Sequence, residues 1–237
     1  MIRRLLIVAV ALAAATPVSA DILFDIKAAL RNLRAKQPVR ATFETRSVNV
    51  AKGRFFDQDT TTSASVEARV DDDGVTIIYP RPLLDRALAQ RNAKHDPKAP
   101  KVADVNAPHI AELLDYAPAL IALLDRATVI EDKAHTTIVM NIRQNDDPGV
   151  KEGHVDVKLN RLTLTLGPDL VPVAAERTTK FVAGIFFLKA EGQQTEKWTF
   201  ARRDDRLIVT RFEHSDTSSG MGQTAHNSET QTIRIEN

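Results

Sequence analysis

The sequence predicts an α+β fold built around one large antiparallel sheet, and three observations lead to this prediction. Apolar residues recur at helical spacing just after residue 20, and again between residues 82 and 124. Between these helices, and throughout the chain after residue 126, apolar and polar residues alternate with a period of two. Because strands that follow one another without intervening helices are typical of antiparallel sheets, the pattern predicts an α+β fold with one large antiparallel sheet.

The composition excludes several classes of protein. The chain has 237 residues and no cysteine, so it cannot form disulfides, Cys-ligated metal sites or a thiol nucleophile. It carries 32 Lys and Arg against 31 Asp and Glu, and this balance lacks the basic excess of a nucleic-acid-binding protein. We therefore expect a globular protein with no nucleic-acid partner and no cofactor.

Residues 1–20 are typical of a secretory signal peptide. Arg3 and Arg4 precede an apolar run over residues 5–15, and small residues lead to Ala20. The run is too short for a membrane-spanning helix, which needs about 20 apolar residues. Asp21 occupies the position where a bacterial lipoprotein needs a cysteine. We predict cleavage after Ala20 and a single soluble periplasmic domain over residues 21–237, without a membrane span.

The first elements follow from the periodicity. Residues 21–36 carry Ile22, Leu30 and Leu33 at helical spacing, with Phe24 or Ile26 between them, and predict an amphipathic helix. A strand with one solvated face begins at Val39. Residues 64–70 alternate in the same way, and Asp71–Gly74 then turn the chain into residues 75–79. This segment predicts a hairpin.

A helical insertion comes next. Pro82 suits a first helical turn, and an apolar stripe follows at Leu83, Leu84, Ala87 and Leu88. Residues 91–107 lack periodicity and predict a loop. Asn106 can cap a second helical region with one apolar face from Ile110 to Leu124, and Pro118 should kink or divide it.

The rest of the chain predicts strands. Residues 128–131 and 136–142 can pair as a hairpin, and the alternation changes parity at Asn160 and Arg161, which indicates a bulge or a tight turn. The following predicted strands form a meander over residues 170–182, 184–190, 196–202, 207–214 and 223–235.

Three groups of residues carry side chains that are suited to chemistry. His109, Glu112 and Asp115 recur every three residues and could hold a metal, but a solvated helix face explains them better. His214, Asp216 and His226 could meet if the last two strands pair, although a polar hairpin tip is the preferred interpretation. Asp71–Asp73 are interpreted as a turn, because the other ligands of a calcium loop are absent. With no catalytic motif in the chain, we expect no enzyme activity and no metal site.

The segment Phe181–Leu188 is apolar at both parities. A half-exposed strand would be polar at every second residue, so this pattern predicts that both faces are covered. The segment is either a central strand of the core or a surface that meets a partner, a membrane or an apolar ligand. Trp198 and Phe200 extend the apolar region.

The order of these elements resembles that of the LolA-like superfamily, which includes periplasmic lipoprotein carriers, RseB-type envelope-stress sensors and mycobacterial lipid-binding lipoproteins. The resemblance rests on the short first helix, the pattern apolar-x-Ala-x-Phe at Val39–Phe43, the helical insertion, and Leu170–Val173 before the closing strands. It implies a curved half-barrel whose concave apolar face is covered by helices and binds acyl chains.

The resemblance implies a periplasmic binding protein that holds an acyl chain, a lipid or a lipidated protein, with a place in outer-membrane lipoprotein or lipid trafficking. The alternative is a non-catalytic envelope interaction or sensor module that docks a protein partner through an exposed hydrophobic strand. The predicted lining of the groove is Phe43, Phe181, Ile185, Phe187, Trp198 and Phe200, and the predicted helical lid contributes Leu84, Leu88, Leu113, Leu114 and Leu120.

Overall fold

The computed structural model describes residues 18–33, 38–53, 57–71, 74–92, 107–143, 154–185, 188–203, 205–220 and 222–236. Four helices lie in these ranges, and none of them is long and apolar enough to cross a membrane. They are α1 (Val18–Arg31), α2 (Arg81–Asn92), α3 (Ala107–Leu114) and α4 (Ala117–Leu124).

All ten described strands belong to one open antiparallel sheet with the order β3-β2-β1-β10-β9-β8-β7-β6-β5-β4. The first strand therefore pairs with the last. The predicted large antiparallel sheet is confirmed. The strands are β1 (Val39–Gly53), β2 (Asp57–Asp71), β3 (Gly74–Ile78), β4 (Ala127–Lys133), β5 (Thr137–Ile142), β6 (His154–Leu166), β7 (Pro172–Ile185), β8 (Leu188–Arg203), β9 (Arg206–Gly220) and β10 (Gln223–Ile235).

One face of the sheet packs against helices at one end of the strands. We call this face, which carries Phe43, Leu164 and Trp198, the helix face, and the opposite face the open face. Side chains alternate between the two faces, so Ala41 and Phe43 are buried while Arg40 is exposed. The burial of one parity explains why the period of two was readable in the sequence.

Helices α1, α3 and α4 supply the other half of the core. Ile26 and Leu30 of α1 are almost fully buried, and α1 packs against α4. The two short helices are separated at Tyr116, whose backbone N–H donates a hydrogen bond to the carbonyl of Leu207 at 2.8 Å. Pro118 lies in the first turn of α4, so the prediction that it divides the helical region is confirmed.

Helix α2 does not present the apolar stripe that the sequence predicted. Leu83 is buried, but Leu84 and Leu88 are 43% and 53% exposed, and Ala87 is also exposed. Among residues 81–89 of α2, whose burial is described, only Leu83 in the first turn is buried. The prediction that this apolar stripe packs against the core is therefore wrong.

The change of parity in β6 comes from a bulge within one continuous strand. The register shifts between Val157 and Leu159, slightly before the predicted position at Asn160. In a regular strand, odd-numbered and even-numbered residues face opposite sides of the sheet. The extra residue of the bulge places Val157 and Leu162 on the same side, the helix face. The prediction of a bulge is confirmed and its position is corrected.

The apolar segment Phe181–Leu188 is not one strand covered on both faces. Strand β7 ends at Ile185, β8 begins at Leu188, and these two residues pair across a hairpin. Phe186 and Phe187 between them lie outside the described residues. The strands predicted at 184–190 and 196–202 are thus parts of β8, and the segment lies at the end of a hairpin.

This hairpin end belongs to what we call the distal end of the sheet. It is marked by Gly53, Gly184, Gly220 and Gln223, which the strand registers place together beyond the buried core. The distal end is therefore far from the helices.

Helix α1 begins at Val18 and so runs across the predicted cleavage position after Ala20. Residues 1–17, most of the predicted signal peptide, lie outside the described residues. The predicted loop over 91–107 also falls largely outside them.

Candidate functional site

The residues predicted to line one apolar groove are separated in the structure. Phe43, Trp198 and Phe200 are buried near the helices. Phe181 lies on the same face of the sheet as these residues. It is six residues beyond Ala175, the residue that pairs with Trp198, and this corresponds to about 20 Å along β7. Ile185 ends β7, with its side chain outside the described part, and Phe187 is likewise outside it. The described members therefore form two groups.

Trp198 and Phe200 of the first group belong to an aromatic cluster between the helices and the sheet. The ring centroid of Tyr116 lies 5.9 Å from that of Trp198 and 5.5 Å from that of Phe200. Trp198 lies 5.7 Å from Phe212, which also contacts His109 edge-on at 5.7 Å. These distances are those of packed aromatic pairs, so the predicted ligand position near Trp198 is occupied by the protein itself.

The residues predicted as a lid divide in the same way. Leu113 and Leu114 of α3 and Leu120 of α4 are at most 1% exposed, whereas Leu84 and Leu88 of α2 face solvent. Because opening α3 and α4 would expose core residues, we interpret these two helices as permanent structure.

A polar belt crosses the helix face between the aromatic cluster and the distal end. Arg177 donates to the side-chain oxygen of Asn160 at 2.9 Å and lies 3.5 Å from Glu196. Asn227 donates to Asp216 at 2.9 Å. An acyl chain that continued from the core along this face would strip water from these groups at a large cost. The belt comprises Ser47, Asn160, Arg177, Thr179, Glu196, His214, Asp216, Asn227 and Glu229.

The structure does not bring His214, Asp216 and His226 together. His214 lies 3.5 Å from Asp216 on the helix face. His226 pairs with Thr217 and Val50, and this register places its side chain on the open face. Because a sheet separates the two imidazoles, the three residues do not form one site.

The groups considered for metal binding are also separated. His109 packs on Phe212, Glu112 is exposed, and Asp115 lies beyond the end of α3. Within the described ranges, no three His, Asp or Glu side chains are placed to hold a metal ion. Asp71 pairs with Arg69 at 2.9 Å, and the remaining two aspartates of that turn lie outside the described residues.

Burial perturbs two ionisable groups where α3 meets α4. Burial raises the pKa of the Tyr116 hydroxyl, the negative charges of Glu112 and Glu196 raise it further, and Arg177 opposes them. Burial also raises the pKa of the Asp115 carboxyl, while Arg206 lowers it. Both shifts follow from position in the fold and favour the uncharged forms.

Tyr116 should make the protein less stable in alkaline solution. The folded state keeps the phenol protonated above about pH 10, where the unfolded chain ionises. The folded state then binds more protons, so the free energy of unfolding falls as pH rises, by up to about 1.4 kcal/mol per pH unit. Urea titrations of the wild type and Tyr116→Phe between about pH 8 and pH 11 check this. Equal alkaline slopes in both proteins would show that Tyr116 does not contribute.

The distal end contains an open groove with a volume of about 840 Å³. It crosses β1, β10, β9, β8, β7 and β6. One row of lining residues runs across the open face from Val50 through His226, Thr217 and Gln193 to Lys180, and the strand registers make these residues neighbours. The sheet itself therefore forms the groove.

A second row runs parallel to the first, one step closer to the hairpin ends. It consists of Lys52, Thr224, Ser219, Glu191 and Val182. The lining exposes more apolar than polar surface, because Val50 and Val182 contribute together with the methyl groups of threonines.

Small residues of the other parity lie between the two rows. Ala225, Ser218 and Gly192 belong to the helix face, where the ring of Phe181 covers Gly192. A Cβ atom at Gly192 would collide with this ring, so the close approach needs glycine. A glycine inside a strand was the one sequence signal that could have indicated a special site here.

Comparisons with known proteins add little. No protein-family model and no curated protein matches the sequence. A solved structure titled as concerning lipid–protein interactions in lipovitellin aligns with 86% of this chain and 25% of that chain, at 7% identity and a TM-score of 0.32. A hot dog fold protein of unknown function from Alicyclobacillus acidocaldarius aligns with 93% of this chain and 88% of that chain, at 10% identity and a TM-score of 0.14. Both TM-scores are too low to support conclusions about fold or function.

Proposed function

We propose that this chain is a non-catalytic periplasmic protein that binds one acyl chain, free or attached to a protein, in the groove at the distal end. The observation that carries the proposal is the groove itself. Its volume of about 840 Å³ falls within the roughly 300–1,000 Å³ of small-molecule sites, and carbon atoms contribute more of its exposed surface than polar atoms do. A wider role in outer-membrane lipoprotein or lipid trafficking rests on the resemblance to the LolA-like superfamily alone.

The position of the proposed site differs from the one that the resemblance implied. The space between the helices and the sheet is filled by Tyr116, Trp198 and Phe200, and the polar belt separates it from the distal end. The groove instead follows the open face, where Val50 and Val182 offer apolar contact. Binding would come from burying methylene groups, at about 0.8 kcal/mol for each one removed from water.

A fatty-acid probe tests the proposal. We expect saturable binding of a fluorescent fatty-acid analogue, weakened roughly tenfold by Val182→Asn because about 1.4 kcal/mol of apolar contact is lost. Trp198 fluorescence should not change on addition of unlabelled palmitate, since its ring is enclosed by other aromatic side chains.

Val173→Asn is the matched control, because Val173 lies on the same strand, is 45% exposed and is outside the groove. It should leave probe binding intact. Binding that Val182→Asn does not weaken, or palmitate quenching of Trp198, would place the ligand elsewhere, and absence of binding would refute the proposed function.

A protein-docking function remains the second candidate, and one observation favours it. Ile78, Tyr79, Leu84 and Leu88 are all exposed within one short stretch from β3 into α2. Apolar patches on a surface often mark protein contacts. Two results together would support docking over lipid binding. The protein would bind no fatty acid, and the Leu88→Asp substitution would release a purified protein partner.

A further inference from the structure

We infer that the groove selects an amphiphile with one anionic head group, and that Lys180 contacts this head group at the β6–β7 end. The inference rests on the proposed acyl-chain function and adds the chemical class of the ligand and its direction. It follows from the unequal distribution of charged side chains along the groove.

The β6–β7 end is cationic. Lys180 lies between two uncharged neighbours on the open face, Gln193 of β8 and Leu159 of β6. Lys158 also lines the groove, and Arg161 occupies a diagonal position on the same face. Among the described residues, three cations therefore lie near two acidic residues here, which gives 3 − 2 = +1. The acidic residues are Asp156 and Glu191.

Within the described part of the chain, Lys180 is the cation at this end that is best placed to receive a ligand. Lys158 forms an ion pair with Asp156, whereas Lys180 has no hydrogen-bond or ion-pair partner among the described residues. Its side chain is exposed at the groove. An ammonium group of this kind offers three donors to a carboxylate or a phosphate.

The opposite end of the groove is bordered by two acidic residues of β2, which lie outside its lining. Lys52 of β1 lies directly across from Asp57 of β2, and Val50 lies across from Asp59. Among the described residues, one cation and two acidic residues give 1 − 2 = −1 around this end. An anionic group is therefore attracted to the Lys180 end and repelled from the Asp59 end.

The distance between the ends suits an extended chain. From β1 to β7 the sheet order makes four strand spacings, or about 19 Å. Between the two ends the open face carries short hydroxyl-bearing side chains such as Thr217, Ser219 and Thr224, which leave room for a narrow tail. The tail would end against Val50, which is apolar.

The test compares two ligands with the same chain and different head groups. We expect the full chain to bind palmitate about fivefold more tightly than hexadecanol near pH 8, because an exposed ion pair contributes at most about a factor of five. Lys180→Met should remove this preference by weakening palmitate binding and leaving hexadecanol binding unchanged. Both affinities can be measured by displacement of the fluorescent fatty-acid analogue.

Lys197→Met is the control, since Lys197 lies on the open face of β8 outside the groove and pairs with Glu176 at 3.7 Å. It removes the same charge and should retain the preference for palmitate. Equal affinities for the two ligands in the wild type, or equal effects of the two lysine variants, would overturn the role of Lys180 while the acyl-chain proposal stands. Failure of both ligands to bind would refute the proposed function itself.

Discussion

Replacing Leu114 with alanine is expected to lower the free energy of unfolding by about 2–5 kcal/mol. Leu114 is 0% exposed, and α3 packs on β2, β3 and β9. The loss combines the transfer of apolar surface to water with the cavity that remains when the surroundings cannot collapse. Urea denaturation, followed by the fluorescence of the single Trp198, measures the change.

The matched control for Leu114 is Leu84→Ala, the same substitution in a helix of the same insertion. Leu84 is 43% exposed, so its replacement should cost less than about 1 kcal/mol. A small cost at both positions would contradict the description of α3 as permanent core, and would revive the lid that the resemblance implied. A large cost at Leu84 would show that α2 packs more tightly than the exposed fractions indicate.

Replacing Trp198 with alanine is expected to cost about 3–5 kcal/mol, the largest effect predicted for a single residue. Its indole is 6% exposed and packs against Tyr116 and Phe212, with ring centroids 5.9 and 5.7 Å away. Removal leaves a large cavity and breaks two aromatic contacts. Because the variant lacks the only tryptophan, circular dichroism should follow its unfolding.

Two comparisons sharpen this result. Trp198→Phe keeps an aromatic ring and should cost clearly less than Trp198→Ala, whereas Phe24→Ala, at a position 64% exposed, should cost less than about 1 kcal/mol. A folded Trp198→Ala protein with unchanged stability but lost fatty-acid binding would place the ligand between helices and sheet. That outcome would contradict the distal groove.

The fold was predictable where one face of an element is buried. Ala64, Val66 and Ala68 alternate because all three face the core, and the turn that follows uses Gly74 at a φ of 115°, a conformation that glycine tolerates. Burial of one strand face therefore explains the period of two, and the need for a positive φ explains the glycine in the turn. Both signals are visible in the local sequence. The division at Pro118 was predictable for the same kind of reason, since proline cannot continue a helix interior.

The hairpin between β7 and β8 was not predictable because it lacks the usual turn residues. Two-residue hairpin connections favour Asn, Asp and Gly, but Phe186 and Phe187 lie between the paired residues Ile185 and Leu188. The apolar sequence continues across this point. It therefore suggested one covered strand rather than two halves of a hairpin.

The candidate groove could not be predicted because its residues become neighbours only through strand register. Lys180, Thr217 and Thr224 are polar residues on solvated strand faces, and nothing in their local sequence distinguishes them from other such residues. Their association depends on how β7, β9 and β10 align through long-range pairing. Local periodicity carries no information about that alignment.

The pairing of β1 with β10 has a consequence for how the chain folds. The first three strands join the remaining seven only through β10, which ends at Ile235. The ribosome must therefore synthesise β10 before the first three strands can join the rest of the sheet, and such long-range pairing slows folding. Late completion would keep the chain threadable through a translocation channel, which fits the export that its N-terminal sequence predicts.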